Sequence, residues 1–113
     1  MKLLKTRPFA ALVKVPFPGD TVESVNEQTF TGHFVALPSN ELKSFQLVTE
    51  EEKRAFLSLV FTGWSGIQDD VDGADVPLEV TPENRERLLS DLFVLTAVMQ
   101  AYVMAMAGAK RGN

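Results

Sequence analysis

Cysteine is absent from this sequence, and histidine, tryptophan and tyrosine each occur once. Without cysteine, the chain can form no disulfide bond, no thiolate nucleophile and no cysteine-based zinc site. The single histidine, His33, belongs to a threonine-rich stretch where an exposed surface position is expected. A catalytic triad would need partners that the sequence does not suggest. We therefore expect a protein that is not an enzyme, with no catalytic residue, no cofactor and no metal site.

Positive charge is also scarce. Eleven Lys and Arg residues accompany fifteen Asp and Glu residues, which gives a formal net charge of −4 without a basic stripe. Phosphate binding needs clustered positive charge, so nucleic acid is not an expected partner. Residues 1–5 lack the apolar segment of a signal peptide, and the absence of cysteine fits a cytoplasmic location. A chain of 113 residues with 45% hydrophobic residues predicts a single domain, residues 1–113.

One long stretch lacks charge. Residues 92–109 carry no charged side chain and precede Lys110 and Arg111. A membrane-spanning helix needs about 20 apolar residues, whereas this stretch includes Thr96, Gln100 and five alanines. A soluble helix that is buried or covered by a partner is therefore favoured over a membrane anchor.

The first third of the chain shows the alternation of a β-sheet. Residues 7–17 predict a strand whose core face carries Phe9, Ala11, Val13, Val15 and Phe17. Residues 29–37 predict a second strand, and residues 21–26 a possible short one. Because the opposite faces are partly polar, we expect a small antiparallel sheet of two or three strands.

Helix-start signals follow the sheet. Ser39 is placed to cap a short helix with Leu42, Phe45 and Gln46 along one side. Thr49 and Glu52 have the spacing of a capping box, which predicts a helix over about 50–61. We expect Gly63 to end that helix, since glycine is common just after a helix C-terminus.

Two more helices are predicted near the end of the chain. Thr81 followed by Pro82 is a strong helix start, and it predicts helices over about 82–89 and 91–107. Ser90-Asp91 is either a break between them or part of one continuous helix. Together with the sheet, these helices predict an α+β fold in which a small N-terminal antiparallel sheet packs against C-terminal helices.

The last helix has apolar residues all round. A coiled-coil-like stripe is formed by Leu88, Leu92, Leu95, Met99, Tyr102 and Met106. Val94, Val98 and Ala101 make the opposite side apolar as well. The stripe is either core or a surface for self-association or for a client protein.

An acidic segment lies between the helical regions. Gly63-Trp64-Ser65-Gly66 predicts tight turns around the tryptophan, which is either a core residue, the favoured interpretation, or a partner anchor. Asp72-Gly73 predicts a turn between two short extended pieces. Residues 68–79 approach the spacing of an EF-hand loop, but Gln68 stands at its first position and the next helix starts too late. A solvated acidic loop is favoured over a calcium site.

The second half of the chain resembles the tail assembly chaperones of long-tailed phages, and the extended segment around Phe30 to Leu37, followed by a helix, is similar to them in layout. The resemblance covers about residues 25–105 and is carried by Gly63-Trp64-Ser65-Gly66-Ile67, Asp72-Gly73, Val76-Pro77-Leu78, Thr81-Pro82-Glu83-Asn84 and Leu88-Leu89. It implies a cytoplasmic phage or prophage protein of virion morphogenesis that is absent from the mature particle. The implied partner is the tape measure protein, with the tail tube protein as a second candidate. It further implies that many members have a longer form made by ribosomal frameshifting.

Binding an apolar client requires displayed apolar side chains, and methionine adapts to varied partners. The expected partner-binding residues are Trp64, Ile67, Met99, Tyr102, Met104 and Met106. Self-association is also expected, without a membrane or nucleic-acid partner. Two other functions stay open, a self-assembling structural subunit of a phage tail or particle and a calcium-dependent binding module.

Overall fold

The structure of the protein is a computed structural model that describes residues 1, 3, 6–42 and 45–110, with backbone alone at residues 39, 40, 109 and 110. Along these residues the elements are, in chain order, β1 (Arg7–Pro18), β2 (Val25–Ala36), α1 (Ser39–Leu42), α2 (Glu50–Val60), β3 (Phe61–Ser65), β4 (Gln68–Val71), β5 (Ala74–Pro77), α3 (Pro82–Ser90) and α4 (Leu92–Lys110). β1, β2 and β3 form one antiparallel sheet in that order, and β4 pairs with β5 in a separate hairpin.

The β1–β2 hairpin confirms the strand predicted over residues 7–17. β1 pairs with β2 along its whole length. Val13 and Val15 are buried, whereas Leu12 and Lys14 are exposed. Odd-numbered residues of β1 therefore face the core, as the alternation predicts.

The short strand predicted over residues 21–26 is wrong. Thr21 and Ser24 lie in the loop of the hairpin, where the Ser24 N–H donates to the Thr21 carbonyl at 3.2 Å. β2 then begins at Val25, earlier than the predicted start at Thr29. Pairing with β1 holds these exposed residues in an extended conformation, although their own side chains show little apolar alternation.

β3 contradicts the turns predicted around Trp64. Phe61–Ser65 is an extended strand that pairs antiparallel with β2, and Gly63 lies opposite His33. Of residues 61–67, only Gly66 has a positive φ, of 87°. The tight turn therefore follows the strand and does not surround the tryptophan.

α2 begins as predicted and ends differently. The Thr49 Oγ1 accepts from the Glu52 N–H at 3.1 Å, and the Glu52 carboxylate accepts from the Thr49 N–H at 2.9 Å. These two bonds satisfy donors that the first helical turn leaves free, so the predicted capping box is confirmed. Gly63 does not end the helix. Phe61 already has extended angles, φ −92° and ψ 95°, and leads directly into β3.

α1 is a single turn, in which Glu41 and Leu42 donate their N–H groups to the Pro38 carbonyl. Phe45 and Gln46 lie after this helix and not along it, contrary to the expectation. The Phe45 ring instead packs edge-on against a core phenylalanine of α2, with ring centroids 5.0 Å apart.

The acidic segment folds into the β4–β5 hairpin. Asp72 and Gly73 form its turn with φ values of 54° and 82°, so the turn predicted at this dipeptide is confirmed. Positive φ at both central residues is the signature of a type I′ turn. Strand–turn–strand geometry replaces the helix–loop–helix of an EF-hand, so the structure does not form the calcium loop that the spacing resembles.

The two C-terminal helices are separate and bent by 103° relative to each other. The Thr81 Oγ1 caps α3 by accepting from the Asn84 N–H at 3.1 Å, with Pro82 in the first turn as predicted. Asp91 has extended angles and separates α3 from α4. The predicted stripe from Leu88 to Met106 is therefore interrupted at this residue.

The core lies between one face of the sheet and the helices α2 and α4. Aromatic rings form its centre: Phe34 contacts the rings of Phe9, Phe61 and Tyr102 at centroid distances of 5.3, 5.4 and 5.8 Å. Among the described residues, no polar or charged residue is buried. The fold is of the α+β class, a small antiparallel sheet packed with C-terminal helices, as predicted from the sequence.

Candidate partner-binding surface

The structure separates the six expected partner-binding residues into buried and accessible ones. Trp64, Met99 and Tyr102 belong to the hydrophobic core. No partner can contact them without opening the fold, so the structure assigns these three side chains a structural role. For Trp64 this confirms the favoured interpretation as a core residue.

Trp64 joins the hairpin to the sheet. Its indole Nε1–H donates to the Leu78 carbonyl at 3.0 Å, and the Leu78 N–H donates to the Ile67 carbonyl at 2.9 Å. A buried indole needs such an acceptor because an unpaired N–H would cost free energy. The base of the β4–β5 hairpin is thereby fixed against the core.

Tyr102 joins α4 to the end of β2. Its hydroxyl oxygen accepts from the Leu37 N–H at 3.4 Å, and its ring packs edge-on against Phe56 at 5.3 Å. Burial of the hydroxyl raises the pKa of Tyr102 because the phenolate would lose its hydration. Tyr102 therefore stays neutral and acts as a structural link.

The remaining three residues differ in accessibility. Ile67 and Met106 are half-buried and pack against the edge of the core. Ile67 lines a shallow pocket together with Phe17, Phe30 and other residues of the sheet. Met104 is 64% exposed, so it is the most accessible of the six. Only Met104 displays most of its surface to solvent.

Met104 belongs to a larger surface on α4. One side of this helix is exposed from its first turn almost to its end, and it carries Leu92, Phe93, Thr96, Gln100, Val103, Met104 and Ala107. We call these seven residues the uncharged face of α4. They fall on one arc of the helix because successive residues are about 100° apart. A continuous exposed surface with several large apolar side chains is typical of an interaction site.

Leu92, Phe93 and Val103 were not among the expected partner-binding residues. The signal was ambiguous because α4 is apolar all round, so the sequence pattern cannot tell its core side from its exposed side. Position in the fold decides this, since the sheet and α2 cover only one side of the helix.

The acidic side chains of the hairpin have local roles. Asp69 pairs with Arg87 of α3 through oxygen–nitrogen distances of 3.2 and 3.3 Å. Hydrogen bonds from Arg87 lower the pKa of Asp69 because they stabilise the carboxylate. The Asp70 carboxylate accepts from the Gly73 N–H at 3.0 Å in the turn. Within the described ranges, no three His, Asp or Glu side chains are grouped so that they could hold a metal ion.

In the part of the chain that the structure describes, no single helix is long and apolar enough to cross a membrane. α3 and α4 reach the required length and composition only together, across their 103° bend. No family model, no curated protein and no solved structure matches this chain.

Proposed function

We propose that this protein is a non-enzymatic tail assembly chaperone of a long-tailed phage or prophage. In this function it binds the tape measure protein in the host cytoplasm during tail morphogenesis and leaves before the particle is mature. The observation that carries this function is the uncharged face of α4. The motif resemblance of residues 63–89 supports it independently of the structure.

The chemistry of the uncharged face suits an apolar helical client. Long apolar helices are hidden best by a surface that offers apolar contact without charge, because burying an unpaired charge is costly. A helix of the client can lie along α4 and place residues at helical spacing against Phe93, Val103 and Met104. The methionine side chain adapts to clients of varied shape.

The size of this surface also suits temporary binding. Its four large apolar side chains, Leu92, Phe93, Val103 and Met104, are each about half exposed. Burying the exposed half of each contributes roughly 1 kcal/mol, so one chain contributes roughly 4 kcal/mol before the cost of association. Even without that cost, this value corresponds to no better than about millimolar affinity, and the cost of association weakens the binding of a single chain further. Stable coverage of the client would therefore need many copies, and loss of neighbouring copies would release the rest.

The direct test is co-expression with the tape measure protein of the same phage or prophage, followed by pull-down and sizing. The native chain is expected to keep the tape measure protein soluble and to co-elute with it. Val103→Glu places a charge in the centre of the uncharged face, and we expect it to reduce the recovered tape measure protein at least about tenfold.

The matched control is Leu59→Glu on α2. Leu59 is 56% exposed and Val103 is 52% exposed, so both variants add the same charge at similarly accessible positions. Leu59→Glu is expected to leave binding unchanged. Equal loss in both variants, or none in either, would contradict binding through α4. A chain that binds nothing and assembles alone into rings or tubes would instead support a structural subunit.

A further inference from the structure

The outer edge of β1 carries unused backbone hydrogen-bonding groups. β1 is the end strand of the three-stranded sheet, and in the described residues no other strand pairs with its outer side. Leu12 is 57% exposed, and Ala10 and Lys14 are also exposed. An open edge of this kind is a template for pairing with another strand.

The hairpin register identifies which groups point outward. The Gly19 N–H donates to the Ser24 carbonyl at 3.0 Å, and these residues continue the β1–β2 register. In antiparallel pairing the bonded residues alternate, so odd-numbered residues of β1 bond to β2 and even-numbered ones point to the free edge. Three of the even positions are proline, namely Pro8, Pro16 and Pro18, and proline has no N–H to donate. The edge is therefore open only at Ala10, Leu12 and Lys14.

This open segment is symmetric about Leu12. Ala10 and Lys14 lie two residues to either side, and Pro8 and Pro16 lie four residues to either side. We propose that two copies of this chain pair antiparallel through their β1 edges, with a two-fold axis at Leu12. Leu12 then lies opposite Leu12 of the second copy, and the two three-stranded sheets become one continuous sheet.

The symmetric register keeps the two lysines apart and pairs the free backbone groups of both edges. Each Lys14 lies opposite Ala10 of the second copy, so the two lysines do not face each other. The facing pairs formed by the even-numbered residues Ala10, Leu12 and Lys14 each exchange two backbone hydrogen bonds, whereas the odd-numbered residues between them stay bonded to β2. Beyond them, Pro8 meets Pro16 of the second copy, and pairing stops because neither has an N–H. If the partner of this edge were an extended segment of another protein, the equal distances of Pro8 and Pro16 from Leu12 would have no explanation.

α4 leaves room for the second copy beside this edge. A groove of about 310 Å³ runs between β1 and α4 and is lined by Leu12, Lys14, Ala97, Gln100, Ala101 and Met104. The small side chains of Ala97 and Ala101 allow close approach on the core side of the edge. Since none of the α4 residues lining the groove is charged, the second copy brings no like charges together there.

The first experiment measures molar mass against concentration by sedimentation. The native chain is expected to form a dimer, and Leu12→Pro a monomer, because proline removes the central donor of the pairing. Leu12→Pro leaves the β1–β2 bonds intact, since residue 12 does not donate to β2, and circular dichroism checks its fold. Leu12→Ala retains the N–H and is the matched control, which is expected to stay dimeric. A native chain that is monomeric up to millimolar concentration would overturn the pairing.

The second experiment tests the register and does not depend on proline. Because the chain has no cysteine, a single introduced thiol reports on one position. Under oxidation, Leu12→Cys is expected to form a covalent dimer, since facing residues have Cα atoms about 5.5 Å apart, within disulfide range. Ala10→Cys and Lys14→Cys are expected to cross-link only when mixed, because each lies about 13 Å from its own counterpart.

Self-cross-linking of Lys14→Cys together with failure of the mixed pair would exclude this register. None of these variants lies on the uncharged face of α4, and neither experiment contains a client protein. Dimerisation and the chaperone function can therefore fail separately.

Discussion

At the scale of single residues, Gly32 shows how tightly the sheet face is packed. It lies on β2 between Phe30 and Phe34, and all three face the core. A Cβ atom at this position would stand 2.7 Å from the Phe34 ring and 3.2 Å from a Val13 methyl group. Phe34 itself is fixed by rings on several sides. Glycine is needed here because of space and not because of backbone conformation.

Gly32→Ala should therefore destabilise the protein by about 1–3 kcal/mol, the usual cost of overpacking a core. The measurement is urea unfolding followed by circular dichroism. Gly63→Ala is the matched control in the neighbouring strand, since its Cβ would meet Val80 at 3.5 Å, an ordinary contact distance. Equal unfolding midpoints for the two variants would show that Phe34 can move aside, contrary to this expectation.

At the scale of elements, Asp91 determines how the C-terminal helices are arranged. Its N–H donates to the Leu88 carbonyl at 3.3 Å at the end of α3. Its carboxylate accepts from the Phe93 and Val94 N–H groups at 2.8 and 3.2 Å at the start of α4. One residue thus ends one helix and caps the next, and its negative charge also suits the N-terminus of α4.

Replacing Asp91 by alanine removes this cap, and we expect a loss of about 0.5–2 kcal/mol in the free energy of unfolding. Asp91→Asn retains an oxygen acceptor while removing the charge, so it should lose much less. Comparing the two by urea unfolding separates the capping bonds from the helix-dipole contribution. If alanine were as stable as asparagine, the bend would be determined by packing alone.

Strong local signals predicted most of the elements, and β3 marks their limit. The capping box at Thr49 and the Thr81-Pro82 start are formed by neighbouring residues, so the sequence shows them directly. In β3, both Phe61 and Trp64 are buried, so strict alternation is absent. The register shift between β2 and β3 permits this arrangement. Such a strand is defined by its distant partner β2 and not by its own pattern.

The same reasoning applies to the candidate surface on α4. The sequence identified an uncharged helix with two alternative roles, packing in the core or binding a partner. In the structure, one side of this helix is buried in the core and the other side is exposed. The pattern does not separate the two roles, so the expected partner-binding residues included Met99 and Tyr102, which are buried. Val98, which is buried, and Val103, which is exposed, are chemically identical. The even-numbered prolines Pro8, Pro16 and Pro18 indicate which side of β1 is free, because proline has no N–H to donate to a neighbouring strand. This indication becomes specific only once β1 is known to be an end strand of the sheet.

At the scale of the whole molecule, α4 contributes much to the stability of the fold and the β4–β5 hairpin contributes little. α4 supplies the buried side chains Val94, Leu95, Ala97, Val98, Met99 and Tyr102. The hairpin, residues 68–77, is exposed along nearly all of its length. Its base is closed by the hydrogen bond between Leu78 and Ile67, and outside that base Asp69 pairs with Arg87.

Deleting residues 68–77 and joining Ile67 to Leu78 through Gly-Gly should therefore leave a folded protein. Two residues can connect these positions because their backbones are already hydrogen-bonded, as at the end of a two-residue hairpin loop. We expect cooperative thermal unfolding with a midpoint only a few degrees lower, since the lost contacts are exposed ones.

Truncation after Asp91 removes one side of the core, and it should abolish cooperative unfolding, because marginal stability cannot survive that loss. A hairpin deletion that unfolds would show that the hairpin is needed for the stability of the core. A truncated chain that still melts cooperatively would show that α4 is not needed for it. For the same reason, binding by α4 must be tested with substitutions such as Val103→Glu and not by removing the helix.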